Sequence, residues 1–294
     1  MKYRTLLLIL PMIGLLAGCQ KPGPIDLVSG DTQPLPIVLP PSAISSSLFS
    51  TADLDSERYF PTLETKAFGN LVIEGAEYDS PSEHHEAAAA VAVFFNPLAP
   101  VVVGPDTGFK TLDPGTISVD QLSLRPAPQQ FRDTTVGTRY LLYNQDGTGG
   151  KGFTFDGARD YEWASTGSAQ LASVNVKIRT PEKLHVTSPD VRRILRTSND
   201  LTVRWTGGGD TVRVYVRAIE GRTPDKILLR MLVTQNIGHI IIRKELLNLL
   251  PHDQSNFLFT FSSSKTSRVT VPGFAGDVLV QAVTSHNLAL QVSP

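Results

Sequence analysis

The chain has 294 residues, of which 41% are hydrophobic and 19% charged, with a formal net charge of −1. This balance suits a folded body and excludes an intrinsically disordered chain. Its single cysteine excludes an intrachain disulfide and a thiolate metal cluster.

That cysteine is Cys19, and it closes an apolar run from Thr5 to Gly18 that follows Lys2 and Arg4. A cationic start, a short apolar stretch and small residues at its end read as a secretory signal. The stretch is shorter than the roughly 20 residues a membrane-spanning helix needs, and no later run approaches that length. The tetrad Leu16-Ala17-Gly18-Cys19 resembles the lipobox of bacterial lipoproteins. The resemblance implies removal of residues 1–18 and acylation of Cys19, with fatty acyl chains such as palmitate holding the protein on a membrane. Gln20, in place of the Asp that retains such proteins at the inner membrane of enteric-type bacteria, implies transfer to the outer membrane. With Cys19 acylated, no thiol remains for catalysis or metal binding.

Residues 19–62 read as the lipidated cysteine and a tether. Pro22, Pro24, Pro34, Pro36, Pro40 and Pro41 favour extended, polyproline-like backbone. At ~3.1 Å per residue, the stretch 20–47 reaches about 80–90 Å. The alternative is a proline-rich recognition motif.

Residues 63–180 form an acidic, β-rich module. Across 20–180 there are 11 Lys and Arg against 19 Asp and Glu, whereas 181–294 holds 14 against 9. Such a charge split supports two modules. Short β-rich runs at Leu71–Ile73, Ala90–Phe95, Val101–Val103, Thr116–Leu124, Thr138–Tyr143, Lys151–Phe155, Tyr161–Ala164 and Val174–Ile178 alternate with turns and suggest a sandwich or barrel. Ser80-Pro81-Ser82-Glu83 fits a helix capping box, so a helical turn is expected at 82–88, giving way to a strand. Within it, Glu83-His84-His85-Glu86 has metal-ligand residue types, but HExxH spacing fails because Ala87, Ala88 and Ala89 follow Glu86. Asn144–Gly152 contains fragments of calcium-binding and phosphate-binding loops without the spacing of either, and Asp146-Gly147 reads as a hairpin turn. Phe153 and Phe155, with Tyr161 and Trp163, can share a hairpin. On an inner face they are core; on an outer face they make an aromatic platform beside Asp156, Asp160 and Glu162, suited to a sugar ring.

Arg179–Lys183 reads as the seam before a basic module, 181–294. Leu201, Val203 and Trp205 alternate with Thr202 and Arg204, and Val212, Val214 and Val216 alternate with Arg213, Tyr215 and Arg217. Two such strands around Gly207-Gly208-Gly209 read as a β-hairpin. This run resembles the central hairpin of immunoglobulin-like or fibronectin type III-like modules of bacterial envelope proteins, with Trp205 at the place of a buried aromatic. Strands are expected at Ile237–Ile242, Asn256–Phe261, Arg268–Val271, Asp277–Val283 and Leu288–Val292, with a short helix at Arg243–Leu250 stopped by Pro251. Ser262-Ser263-Ser264-Lys265 matches Ser-x-x-Lys but is read as a polar loop, unlike the helix of penicillin-binding enzymes. Arg204, Arg213 and Arg217 sit at outward positions, where guanidinium groups suit phosphate or carboxylate.

The sequence thus predicts an all-β protein of two tandem β-sandwich-like modules after a signal peptide and a Pro-rich tether. It predicts a membrane-anchored envelope lipoprotein with a non-enzymatic binding or scaffold role. The lipidation site is Cys19 and the candidate ligand-binding residues are Tyr161, Trp163, Arg204, Arg213 and Arg217. No catalytic residue, metal or cofactor is assigned. The expected partners are the membrane, an envelope protein or an anionic glycan, and not nucleic acid. The alternatives are a carbohydrate-active hydrolase using Asp156, Asp160 and Glu162, and a structural spacer.

Overall fold

From Leu201 to Thr206 burial alternates: Leu201, Val203 and Trp205 lie inside, Thr202, Arg204 and Thr206 outside. A period of two marks a strand with one face on a core. The computed structural model describes residues 37–38, 67–104, 106–132, 134–145, 153–219 and 227–293. The expected signal sequence, Cys19, most of the expected tether and the stretch 146–152, where a hairpin turn was expected, lie outside the described residues.

Among the described residues, the elements are in order β1 (Ile37–Val38), β2 (Ala67–Asp79), β3 (His84–Val103), β4 (Asp106–Thr111), β5 (Ile117–Val119) and β6 (Leu122–Ser123). It continues with β7 (Arg125–Phe131), β8 (Thr134–Gln145), β9 (Asp160–Ser165), β10 (Asn175–Arg179), β11 (Glu182–Ser188) and β12 (Leu195–Arg196). Then follow β13 (Leu201–Gly208), β14 (Val212–Ala218), β15 (Ile227–Val233), β16 (His239–Ile242), α1 (Lys244–Leu247), β17 (Asn256–Thr270) and β18 (Asp277–Ser293). The protein is all-β.

One large sheet runs β1-β15-β14-β17-β18-β2-β3-β8-β7, with β4 beside β3 and β12 beside β18. Two smaller sheets, β10-β9-β5-β6 and β11-β13-β16, are the others among the described residues. The first supplies Ile117, Val119, Tyr161, Trp163 and Ile178 to a core shared with Leu71, Ile73, Val91 and Phe94 of the large sheet. The second supplies Leu184, Val186, Val203, Trp205 and Ile240 to another core, with Val214, Met231, Phe259 and Leu290 opposite. Sheet faces that bury apolar side chains against each other make two sandwich-like layers on one continuous support.

The hairpin of β17 and β18 spans both cores. Its register runs unbroken from Asn256↔Gln291 to Thr270↔Asp277. Phe257, Phe259 and Phe261 pack into the second core, while Val271, Phe274, Val278 and Val280 pack into the first. At about 3.4 Å per residue, 15 paired residues reach on the order of 50 Å. Parallel pairing of β18 with β2 then fuses the C-terminal hairpin to the first region's strands.

Four sequence expectations are corrected. The helical turn at 82–88 is absent: Ser80–Glu83 is the turn of the β2–β3 hairpin, and β3 begins at His84. Ser80 Oγ does accept from the Glu83 N–H (3.0 Å), as a capping serine would, but the chain reverses instead of coiling. Ala87–Ala92 pairs with β2 on one side and β8 on the other, and this pairing overrides helix propensity. Ser262–Lys265 is no loop but the middle of β17, with Ser262 and Ser263 buried. The gap expected between strands 277–283 and 288–292 is also filled, because β18 is one strand of 17 residues. Finally, β13 and β14 do not form a hairpin. β13 pairs with β11 and β16, whereas β14 pairs with β15 and β17, so Gly207–Gly209 carries the chain from one sheet to the other. Asn236 holds that crossover, donating to Gly207 O (2.8 Å) and Gly209 O (2.9 Å) while accepting from Trp205 Nε1 (2.8 Å).

Candidate functional site

Strand pleating collects titratable side chains at the end of β2 that meets the second region. Directly paired residues share a face. Asp79 pairs with His84, and Glu77 with Glu86 on one side and His286 on the other. β11 crosses this face with Leu184 and Val186 directed into the second core, leaving Lys183 and His185 to point back at β2 and β3. Four of the protein's six histidines, 84, 85, 185 and 286, thereby come to one end of the large sheet.

His286 is fully buried at the centre of this group. The Val186 N–H donates to its Nδ1 (2.7 Å). A backbone N–H can only donate, so Nδ1 is the acceptor nitrogen and the ring proton sits on Nε2. That Nε2–H points to Asp79 Oδ2 (3.0 Å). Asp79 Oδ1 accepts from His84 Nδ1 (2.6 Å). The His185 ring stacks on His286, with centroids 5.0 Å apart, and its Nδ1–H donates to Glu77 Oε2 (2.7 Å). Lys183 Nζ lies 3.5 Å from Glu86 Oε2. A cavity of about 280 Å³ opens alongside, walled by Gly75, Glu77, Glu86, Phe155, Lys183 and Thr284.

Burial holds the His286 imidazole below the ordinary histidine value, against the pull of the Glu77 and Asp79 carboxylates. His84 moves the other way, raised first by its hydrogen bond to Asp79. For Asp79, burial works upward, but its hydrogen bond with His84 and the neighbouring imidazoles leave it below the usual carboxylate range.

Glu77, His185 and His286 place ligand-type atoms within 4.8 Å of one another. The chemistry of the donors argues against a metal centre. A neutral imidazole has one lone pair to give, and that of His286 is taken by Val186. Coordination at Nε2 would require removing its proton and leaving an imidazolate. Only Glu77 and His185 remain free to coordinate, fewer than the three or four protein ligands of a zinc site.

The structure separates the residues singled out in the sequence. Tyr161 and Trp163 are each 1% exposed, and Phe153 and Phe155 are also buried, so the aromatic group is core and not a platform. Tyr161 Oη accepts from the Asp156 N–H (2.7 Å) and donates to Thr154 O (2.9 Å), closing the loop before β9. The carboxylates nominated beside it are ion-paired: Asp156 with Arg159, Asp160 with Arg179, and Glu162 with Lys177. Arg204 is exposed on the β11-β13-β16 sheet, whereas Arg213 and Arg217 are half-buried on β14 of the large sheet. The three arginines therefore form no common face. Arg213 donates to Ser264 Oγ (3.0 Å). Cys19 lies outside the described residues.

The buried cluster was missed because its members are spread over residues 77–79, 84, 183–186 and 286. The one local signal was Thr284-Ser285-His286-Asn287, a polar tetrad between two apolar runs. No protein-family model matches the chain, and no curated protein matches its sequence.

Proposed function

We propose that this protein is a lipoprotein of a bacterial cell envelope, held on the outer membrane through an acylated Cys19, and that it works by binding or scaffolding and not by catalysis. An envelope protein or an anionic glycan is the partner class that suits such a location. The observation that carries the non-catalytic reading is the fate of the aromatic group. Trp163 and Tyr161 are core, and Asp156, Asp160 and Glu162 are tied in ion pairs on the surface. Glycoside hydrolysis needs two carboxylates facing each other across a sugar-binding cleft, and these residues do not supply one.

The β17–β18 hairpin supports a scaffold. Two cores stitched by strands of 15 and 17 residues make a stiff body, suited to holding a surface at a set distance from a membrane. The same feature favours a second reading, a structural spacer. An unrelated tether of equal reach that restores the function of a deletion strain selects the spacer and excludes the binding role.

Two measurements test the main proposal. Mass spectrometry of the protein isolated from membranes is expected to show a chain starting at an acylated Cys19; an intact Met1 overturns the anchoring. Full-length, detergent-solubilised protein is expected to retain an envelope component from extracts. Retention of nothing, from protein or glycan fractions alike, overturns the binding role.

A further inference from the structure

Strand β11 is docked on the large sheet by two of its backbone N–H groups. Leu184 N–H donates to Thr284 Oγ1 (3.0 Å), and Val186 N–H donates to His286 Nδ1 (2.7 Å). Thr284 and His286 are two residues apart on β18 and so lie on one face. Both bonds are buried. Thr284 offers an acceptor at any pH. His286 offers one only while its ring is neutral, because a protonated imidazole has donors on both nitrogens.

We infer that His286 is a proton-sensitive latch: in acid the ring takes a second proton, Val186 loses its acceptor, and β11 loosens from β18 at the seam between the two cores. The imidazolium would set its Nδ1–H against the Val186 N–H, so a buried donor is left unpaired in place of a bond. The groups around the ring set the balance. From β2, Glu77 and Asp79 favour the imidazolium. From β11, His185 stacks on the ring and Lys183 pairs with Glu86. From β3, His84 shares Asp79. From β17 the residue opposite is Phe261, which is uncharged. The single lone pair and the full burial of the ring oppose the two carboxylates.

The sign of the effect follows from linkage. A histidine held below its unfolded value contributes stability that is complete above about pH 6.5 and is lost as pH falls toward its folded value. His84, held above its unfolded value, contributes stability in acid and loses it as pH rises through that raised value. The two histidines therefore report at different places, His286 at Val186 and His84 at the β2–β3 turn.

The test is amide hydrogen exchange on the full mature chain, resolved at Val186 and corrected for the intrinsic rate at each pH. Between pH 7.5 and 5.5 the Val186 protection factor is expected to fall, by at most about tenfold, the ceiling set by a histidine that titrates near 6.5 once exposed. Ile73, in the first core, is expected to keep its protection. His286→Asn retains an acceptor at the Nδ1 position and cannot be protonated, so its Val186 protection should not depend on pH. Should that variant fail to fold, an NMR titration of the His286 ring in the native protein decides the matter, with a midpoint below that of free histidine expected. Unchanged Val186 protection in the native chain, the same loss in His286→Asn, or a ring midpoint at or above the free value each overturns the latch.

Discussion

Strand β18 carries two chemistries along one backbone. From Val278 to Ala282 its core-facing residues are Val278, Val280 and Ala282; from Thr284 to Asn287 all four side chains are polar. Both stretches are buried. The apolar half adheres to the first core without directional demands. The polar half works by direction: Thr284 and His286 accept from β11, while Asn287 donates to Glu77 O (3.2 Å) and accepts from Thr260 Oγ1 (2.6 Å). Burying polar groups is costly unless each finds a partner. The gain from Thr284 and His286 is placement, since they fix where the second region's outer sheet sits against the strand it shares with the first, while Asn287 ties β18 to β2 and β17 within the large sheet. One half of β18 supplies cohesion and the other supplies register.

The largest test of that contrast removes cohesion. Trp163→Ala empties a fully buried site in the first core. Large aromatic truncations cost about 3–5 kcal/mol. The lower end, about 3 kcal/mol, is expected because Trp163 Nε1 is buried with no hydrogen-bond partner among the described residues, and its removal relieves that cost. Trp205 is then the only tryptophan, and it lies in the other core. Its fluorescence should report a urea midpoint shifted with that of the whole protein, because β17 and β18 belong to both cores. A Trp205 transition at the native midpoint would mean that the cores unfold independently.

A smaller effect is expected at the crossover. Gly207 has φ +72°, a backbone region that other residues adopt at a cost of about 1–3 kcal/mol. A methyl group there would also run into the Lys183 carbonyl oxygen of β11. Gly207→Ala is expected to cost about 2 kcal/mol in urea unfolding followed by circular dichroism, and to lower protection along β11 before that of β2. Equal loss of protection in β11 and β2 would place the strain elsewhere than at the seam.

Alternation made the fold class legible, because a half-buried strand writes its period directly into the sequence. Leu201–Trp205 and Val212–Val216 show this, and both are strands. Their partners were not legible. A Gly-rich connection reads the same whether it closes a hairpin or passes between sheets, and Asn236, which fixes the choice, is about 30 residues away. Polarity misled where long strands pass through a seam: Ser262–Lys265 and Thr284–Asn287 read as breaks, yet both are strand, and Ser263, Ser264, Thr284, His286 and Asn287 hydrogen-bond to neighbouring segments. The histidine cluster was hidden for the same reason. Glu77, Asp79 and His84 meet at one hairpin, but His185 and His286 arrive from over 100 positions away.

The smallest effects belong to the arginines, and they test the surface and not the interior. Arg204→Glu changes an exposed residue of β13 and should alter stability by no more than about 0.5 kcal/mol. Arg213→Glu, on the large sheet across from β13, removes a donor to Ser264 of the adjacent strand β17. Because the two lie on different sheets of the sandwich, an anionic ligand that uses one face should respond to one substitution only. With a sulfated polysaccharide as probe at low salt, binding is expected to be lost in one variant and retained in the other. Equal, partial losses in both would mean diffuse attraction to the +5 balance of residues 181–294, 14 basic against 9 acidic, and would remove the single-face reading.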